Sequence, residues 1–243
     1  QNKVVYLKSM HPSFKFSKVI SVFIITYYKY IIGKNSSNIY IFGYGSLQNI
    51  NSIRNTLNIT DIDEIDFAVR VNNMRRGWYL PVNRNNLISK PWTTLACTEE
   101  NGHTVNGALI KITPECLTLL DERESNYERK IIPHESIKSI CDKKLHSEST
   151  VYYYGIDVEC KESPTLFTPI LQSYLDTCLI GCIEMDSKLG NRHYEYTIEF
   201  LQTTHEWNSM YCWVNDRIFP RRPYETVPYA RIIDQLLHVY ILS

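Results

Sequence analysis

At 243 residues, with 44% hydrophobic and 21% charged side chains, the chain has an ordinary globular composition and is long enough to bury a core without disulfides or metals. Lysine plus arginine and aspartate plus glutamate each total 26, a balance that argues against a nucleic-acid binder, which carries a basic excess. The 7 cysteines are odd in number and contain no Cys-x-x-Cys pair, so they read as reduced thiols of a cytoplasmic protein rather than a disulfide or zinc framework.

Three regions follow in order. Residues 1–37 form an N-terminal segment to which the sequence assigns no role. Its apolar run Val19–Ile32 carries Lys29 inside and is short for a membrane span, so it reads as a buried helix or strand. Residues 38–158 read as a β-rich domain. Asn38–Phe42 is a buried strand, and short β-like runs follow at Phe67–Val71, Trp78–Val82, Thr94–Cys97 and Val105–Ile112, separated by Asn, Arg and Pro turn signals. Thr113-Pro114-Glu115 then opens a helix, with threonine as cap, proline in the first turn and an acid beside it. That helix runs to about Glu124, and strands are expected at Tyr127–Ile132 and Thr150–Tyr154. Residues 159–243 read as a helical extension packed on this domain. Thr168-Pro169 signals a helix start, apolar residues from Ile170 to Ile183 recur with a period near four, and Gly190-Asn191 separates a second helix at Tyr194–Trp207. A last helix is expected at Tyr229–Ile241. The dense cluster Trp213–Arg217 within this region reads as a capped helix end.

Two segments carry chemistry. Gly43-Tyr44-Gly45-Ser46-Leu47 follows a strand, and its glycines allow backbone N–H groups to approach a carboxylate or an oxyanion. It matches neither G-x-G-x-x-G nor G-x-S-x-G, and taken alone it fits an ordinary strand-end turn. The second segment is Leu119–Tyr127. At about 100° per residue, Leu117, Leu120 and Glu124 share one stripe of the helix, whereas Glu122 points to the opposite side. Glu124 is therefore the acid that faces inward. There, burial and the helix C-terminus both disfavour its charged form. From the residues alone, an inward base and a buried ion pair with Arg123 or Arg129 both remain open.

Together these segments resemble the γ-glutamylcyclotransferase superfamily, with its AIG2-like and ChaC-like branches. The resemblance rests on Tyr44-Gly45-Ser46-Leu47 after a strand and on the Leu120-Asp121 to Glu124 to Tyr127 segment about 80 residues on. Asn72–Pro81 and the pair Ala96-Cys97 with Val105–Leu109 support it, and it covers residues 38–155. It implies an α+β fold, a small mixed β-barrel with flanking helices. It also implies an enzyme that releases 5-oxoproline from a small-molecule γ-glutamyl substrate, without cofactor or metal. Glu124 would be the general acid/base, Gly45, Ser46 and Leu47 would offer N–H groups to the γ-glutamyl moiety, and Tyr44 and Tyr127 would line the pocket. The chain departs from the family at Ser125-Asn126, where many members carry glycine, and in the helical third beyond the usual domain. Two other readings compete: a γ-glutamyl-binding protein without turnover, and a hydrolase pairing Glu124 with Glu128.

Overall fold

The structure, a computed structural model, describes residues 38–57, 67–83, 90–207, 212–217 and 227–242. Segment 1–37, with its apolar run at 19–32, lies outside the described residues. Among the described residues no helix is long and apolar enough to cross a membrane.

The architecture is α+β, as the sequence implies, with helices packed against one mixed sheet. Strand β1 (Ile39–Gly43) lies at its centre. The four β-like runs that follow are halves of just two long strands, β2 (Phe67–Val82) and β3 (Trp92–Ile112), paired antiparallel. The Asn signals between the halves of β2 mark a bulge rather than a strand end. The register slips between Asn72 and Met74, Asn73 takes a positive φ of 58°, and pairing resumes beyond it. An unpaired residue in the left-handed region is a bulge device, and asparagine tolerates it better than most side chains.

After α2 (Pro114–Arg123), strands β4 (Glu128–Ile131), β5 (Ile137–Ser139) and β6 (Thr150–Gly155) complete the order β4-β6-β1-β3-β2-β5. Because β2 occupies one edge of β3, the other edge must serve every remaining partner. Ala108–Ile112 pairs there with β1, and Thr93 bridges the two-residue strand β7 (Ile170–Leu171). Between them the edge is only partly closed, by the Ile156 N–H donating to the Cys97 carbonyl at 3.1 Å. The stretch around Leu95 is left facing a gap.

The helices close over that gap. Helix α1 (Ile50–Leu57), which the sequence reading did not anticipate, is capped by Asn49, whose Oδ1 accepts from the N–H groups of Asn51 and Ser52 at 3.0 and 3.2 Å. Helix α3 (Gln172–Leu189) begins three residues later than Thr168-Pro169 suggests. The Thr168 and Pro169 carbonyls are taken by Thr93, from its hydroxyl at 2.6 Å and its N–H at 2.9 Å, which holds this segment extended along β3. Proline, with no N–H to offer, suits such an edge. Gly190, at φ 72°, ends α3 where Gly190-Asn191 indicated. Helix α4 (Glu195–Thr203) starts without a side-chain cap of its own, because Tyr194 occupies that position in the left-handed region. Asp186 of α3 supplies the cap instead. It is 1% exposed and accepts from Tyr196 N, Thr197 N and Thr197 Oγ1 at 2.8, 3.0 and 2.5 Å. This carboxylate at the α4 N-terminus also favours the helix dipole.

The Trp213–Arg217 cluster is fastened to the start of α3 rather than solvated. Asp216 accepts from Ser173 N and Oγ at 2.8 and 2.6 Å. Arg217 makes two-pronged pairs with Asp176, at 2.8 and 2.7 Å, and with Asp234 of α5 (Ala230–Leu237), at 2.8 and 2.9 Å. Forked pairs of this kind fix geometry as well as charge.

Candidate active site

The strand-end segment turns as its glycines suggest, although the steric demand falls on one of them. A Cβ on Gly43 would lie 3.0 Å from the carbonyl carbon, oxygen and Cβ of Leu47, so the chain folds back on itself there. A Cβ on Gly45 would meet the Tyr174 hydroxyl at 3.5 Å, an ordinary contact. Residues Ser46–Gln48 form a 3-10 turn, closed by Gln48 N–H to the Gly45 carbonyl at 3.0 Å and Asn49 N–H to the Ser46 carbonyl at 3.2 Å. The N–H groups of Gly45, Ser46 and Leu47 head this turn and meet no acceptor among the described residues.

Glu124 sits opposite, at the C-cap of α2, its N–H donating to the Leu120 carbonyl at 2.8 Å. Leu117 and Leu120 on the same stripe are buried, and the Glu124 side chain is 14% exposed. Its Oε1 lies 2.9 Å from Arg123 Nε. The same guanidinium reaches Ser46 Oγ at 3.3 Å and Ser52 Oγ at 3.1 Å, so it joins the carboxylate to the loop and to α1.

Tyr44, Gly45, Ser46, Leu47, Glu124 and Tyr127 therefore line one small cavity of about 30 Å³, together with Leu95, Tyr154 and Tyr174. Three of the four tyrosines are fastened by hydrogen bonds. Tyr44 donates to the Tyr154 carbonyl, Tyr127 to the Leu95 carbonyl at 2.8 Å, and Tyr154 to Asp121 Oδ1 at 2.8 Å. Burial raises the pKa of all four tyrosines, and the Glu124 charge adds to the rise in each. Their hydroxyls stay neutral donors and acceptors at any working pH. A second cleft of about 110 Å³ adjoins, sharing Ser46, Glu124, Tyr127 and Tyr174 and walled further out by Val82, Trp92, Asn126 and Thr177. Glu128 is elsewhere: its side chain is 67% exposed and 3.5 Å from Lys130.

Leu95, Tyr154 and Tyr174 in the cavity, and Arg123 in the adjoining cleft, are among the lining residues that the sequence reading did not single out for the site. Tyr174 stood in the apolar stripe of α3, where it was indistinguishable from core. It reaches the cavity because α3 lies directly on the loop, with Asn49 Nδ2 donating to the Thr177 carbonyl at 3.2 Å.

A roomier cavity of about 380 Å³ lies at the β2–β3 bulge, lined in part by Asn72, Asn73, Glu99, Glu100 and Tyr153. Its acids are already engaged, Glu99 by the Tyr153 hydroxyl at 2.9 Å and Glu100 by Lys161, Thr98 and Arg75 at 2.6, 2.7 and 3.2 Å. Size alone does not make it the reactive site, because no opposed base and donor cluster meet there. Burial by itself would raise the Glu100 pKa, but the bonds from Lys161, Thr98 and Arg75 outweigh it and lower the value from 4.5 to about 2. A depressed folded-state pKa stabilises the fold above the unfolded value and loses that stabilisation as pH falls. The melting-temperature gap between wild type and Glu100→Gln should therefore be widest above pH 4.5 and close as pH approaches about 2. A gap that stays constant across that range would show that Glu100 titrates normally.

Among known proteins, the family model described as "Gamma-glutamyl cyclotransferase, AIG2-like" matches residues 41–167. Among solved structures, one titled γ-glutamyl cyclotransferase is similar at 15% identity and TM-score 0.48, covering 81% of this chain and 96% of its own. An uncharacterized protein from Homo sapiens is similar at 16% identity and TM-score 0.47, with the same coverage, 81% and 96%. A yeast γ-glutamyl cyclotransferase specific to glutathione is similar at 11% identity and TM-score 0.41, covering 69% and 96%. No curated protein matches the chain. The family match spans more than half of the chain and takes in both the Tyr44–Leu47 loop and Glu124, and the chain belongs to the AIG2-like γ-glutamyl cyclotransferase family.

Proposed function

We propose that this protein releases 5-oxoproline from a γ-glutamyl peptide or amine, with Glu124 as the general acid/base. One observation carries the reading. The Glu124 side chain and the Gly45–Leu47 turn line one cavity, walled by four tyrosines whose hydroxyls are held neutral. At neutral pH the substrate's α-amine is mostly protonated and cannot attack. Glu124 takes a proton from it and passes that proton to solvent, and the freed lone pair attacks the γ-carbonyl carbon to close a five-membered ring. Glu124 then takes the second proton from the attacking nitrogen and delivers it to the leaving nitrogen as the C–N bond breaks, leaving one N–H on the lactam. The loop N–H groups hold the folded-back substrate, and such conformer selection supplies much of the rate in ring closure. The adjoining cleft past Trp92 and Asn126 gives the leaving group its room.

The 2.9 Å contact between Glu124 and Arg123 favours a second reading. A carboxylate engaged in an ion pair also suits a protein that binds γ-glutamyl ligands without turning them over. Incubation with γ-glutamyl dipeptides, glutathione and γ-glutamyl-lysine, with detection of 5-oxoproline, separates the two. Release from at least one compound is expected. No release from any, alongside a raised melting temperature with the same compounds, would favour the binding protein.

A further inference from the structure

The side chain beneath the loop is an arginine with no countercharge. Arg76 of β2 is fully buried, at 0% exposure. Its guanidinium donates only to neutral acceptors: Thr204 Oγ1 at 2.7 Å, the Asn106 carbonyl at 2.8 Å and Oδ1 at 3.1 Å, the Phe200 carbonyl and Thr203 Oγ1 at 2.9 Å each, and the Tyr44 carbonyl at 3.2 Å. It also lies over the Phe200 ring, 3.9 Å from its centre. Among the described residues no carboxylate pairs with it. Removing a charge from water without an opposite charge is costly, and clamping β2 and β3 to α4 does not by itself require one. Burial pulls its pKa down, yet an arginine remains charged at any working pH.

The bond to Tyr44 indicates what the charge is for. The Tyr44 carbonyl and the Gly45 N–H belong to one peptide unit, so a cationic donor on the oxygen strengthens the N–H as a donor in turn. Gly45 heads the 3-10 turn and lines the same cavity as Glu124. The other guanidinium at the site, Arg123, already has Glu124 beside it at 2.9 Å, which leaves the charge of Arg76 unmatched. In a γ-glutamyl group the α-amine and the α-carboxylate share one carbon. With the amine at Glu124, the carboxylate is one carbon away, and the Gly45–Leu47 loop lines the same cavity as Glu124. We propose that Arg76 is a positioning residue, whose buried charge, passed through the Tyr44 peptide, sets the Gly45–Leu47 loop to hold the substrate's free α-carboxylate. The proposal rests on the cyclotransferase reading and adds the origin of the loop's preference for an anion.

The test compares a γ-glutamyl substrate with its α-carboxamide counterpart in wild type, Arg76→Lys and the neutral Arg76→Met. A hydrogen bond to a charged group contributes about 1.5–3 kcal/mol, so wild type should favour the acid by roughly 10- to 100-fold in kcat/KM. In Arg76→Met the preference should fall to within about threefold, through a higher KM for the acid with the amide's KM unchanged. Arg76→Lys, which keeps the charge, should retain part of the preference. A merely structural role would slow both substrates alike and leave their ratio intact, and that result overturns the proposal. If Arg76→Met does not fold, calorimetry with 5-oxoproline and its carboxamide decides. Wild type and folded Arg76→Lys should both bind the acid more tightly, and equal binding in wild type overturns the proposal. An absence of turnover with every substrate would count against the cyclotransferase reading alone, since the calorimetric comparison still reports the carboxylate preference.

Discussion

Replacing Glu124 with glutamine is expected to lower 5-oxoproline release by about 10²- to 10⁴-fold, the usual contribution of a positioned general base. The substitution keeps the side chain's length and leaves an oxygen that can still accept from Arg123 Nε, now 2.9 Å away. The fold should barely notice, because partly exposed ion pairs contribute roughly 0–1 kcal/mol. Melting temperature should move by no more than about 4 °C for a chain of this size. Ligand binding should also persist, since the loop N–H groups and the tyrosine hydroxyls are untouched. Loss of turnover with binding and melting preserved is therefore the signature of a base. Undiminished turnover in the folded glutamine variant would remove Glu124 from its assigned role. Glu124→Asp offers a finer comparison. It keeps the charge but shortens the side chain by one methylene, so it should fall between the two in rate. Displacements near 1 Å are enough to cost large factors when geometry carries the catalysis.

What was legible in the sequence followed from local chemistry. Thr113-Pro114 marks the start of α2, and the threonine does cap it, its Oγ1 accepting from Cys116 N at 3.3 Å. With the start known, the helical period places Leu117, Leu120 and Glu124 on one side. The Gly43-to-Leu47 turn was legible for a similar reason, because its constraint lies within five residues. Features that depend on distant neighbours were not. Asn72-Asn73 carries the chemistry of a turn, and only its pairing with β3 turns it into a bulge inside one long strand. Thr168-Pro169 carries the chemistry of a helix start, and only Thr93 across the sheet edge keeps it extended. Arg76 and Arg75 are adjacent and alike in sequence, yet one is wholly buried while the other reaches Glu100 at 3.2 Å near the surface. The β2 pleat sends consecutive side chains to opposite faces, and nothing local says which face α4 will cover. Tyr174 joins the cavity on the same terms, through the docking of a helix more than a hundred residues away in sequence.

That docking yields the second large expectation, which concerns Gly181 of α3. A Cβ added there would lie 2.6 Å from the Gln48 carbonyl carbon, 2.7 Å from Asn49 N and 2.7 Å from the Gln48 carbonyl oxygen. All three are backbone atoms, so no side chain can swing aside, and either α3 or the loop must shift. The loop is poorly placed to yield. Gln48 is wholly buried, bonded to the Tyr196 hydroxyl at 2.5 Å and to Cys182 Sγ at 3.6 Å, while Asn49 caps α1. Tyr174 lies two turns earlier along α3 and would move with it. Gly181→Ala should cost about 1–3 kcal/mol by overpacking, although the same change in an open helix would gain about 1 kcal/mol. The sign of the stability change therefore reports the contact itself. Turnover should drop by about tenfold or more, because the loop's N–H groups and Tyr174 lose their alignment with Glu124. Gly190→Ala is the control. At φ 72° with open space around it, it should be destabilising by about 1–2 kcal/mol through backbone conformation alone and leave turnover unchanged. If Gly181→Ala instead stabilises the protein, or melts lower while turning over at the wild-type rate, then α3 does not set the geometry of the loop.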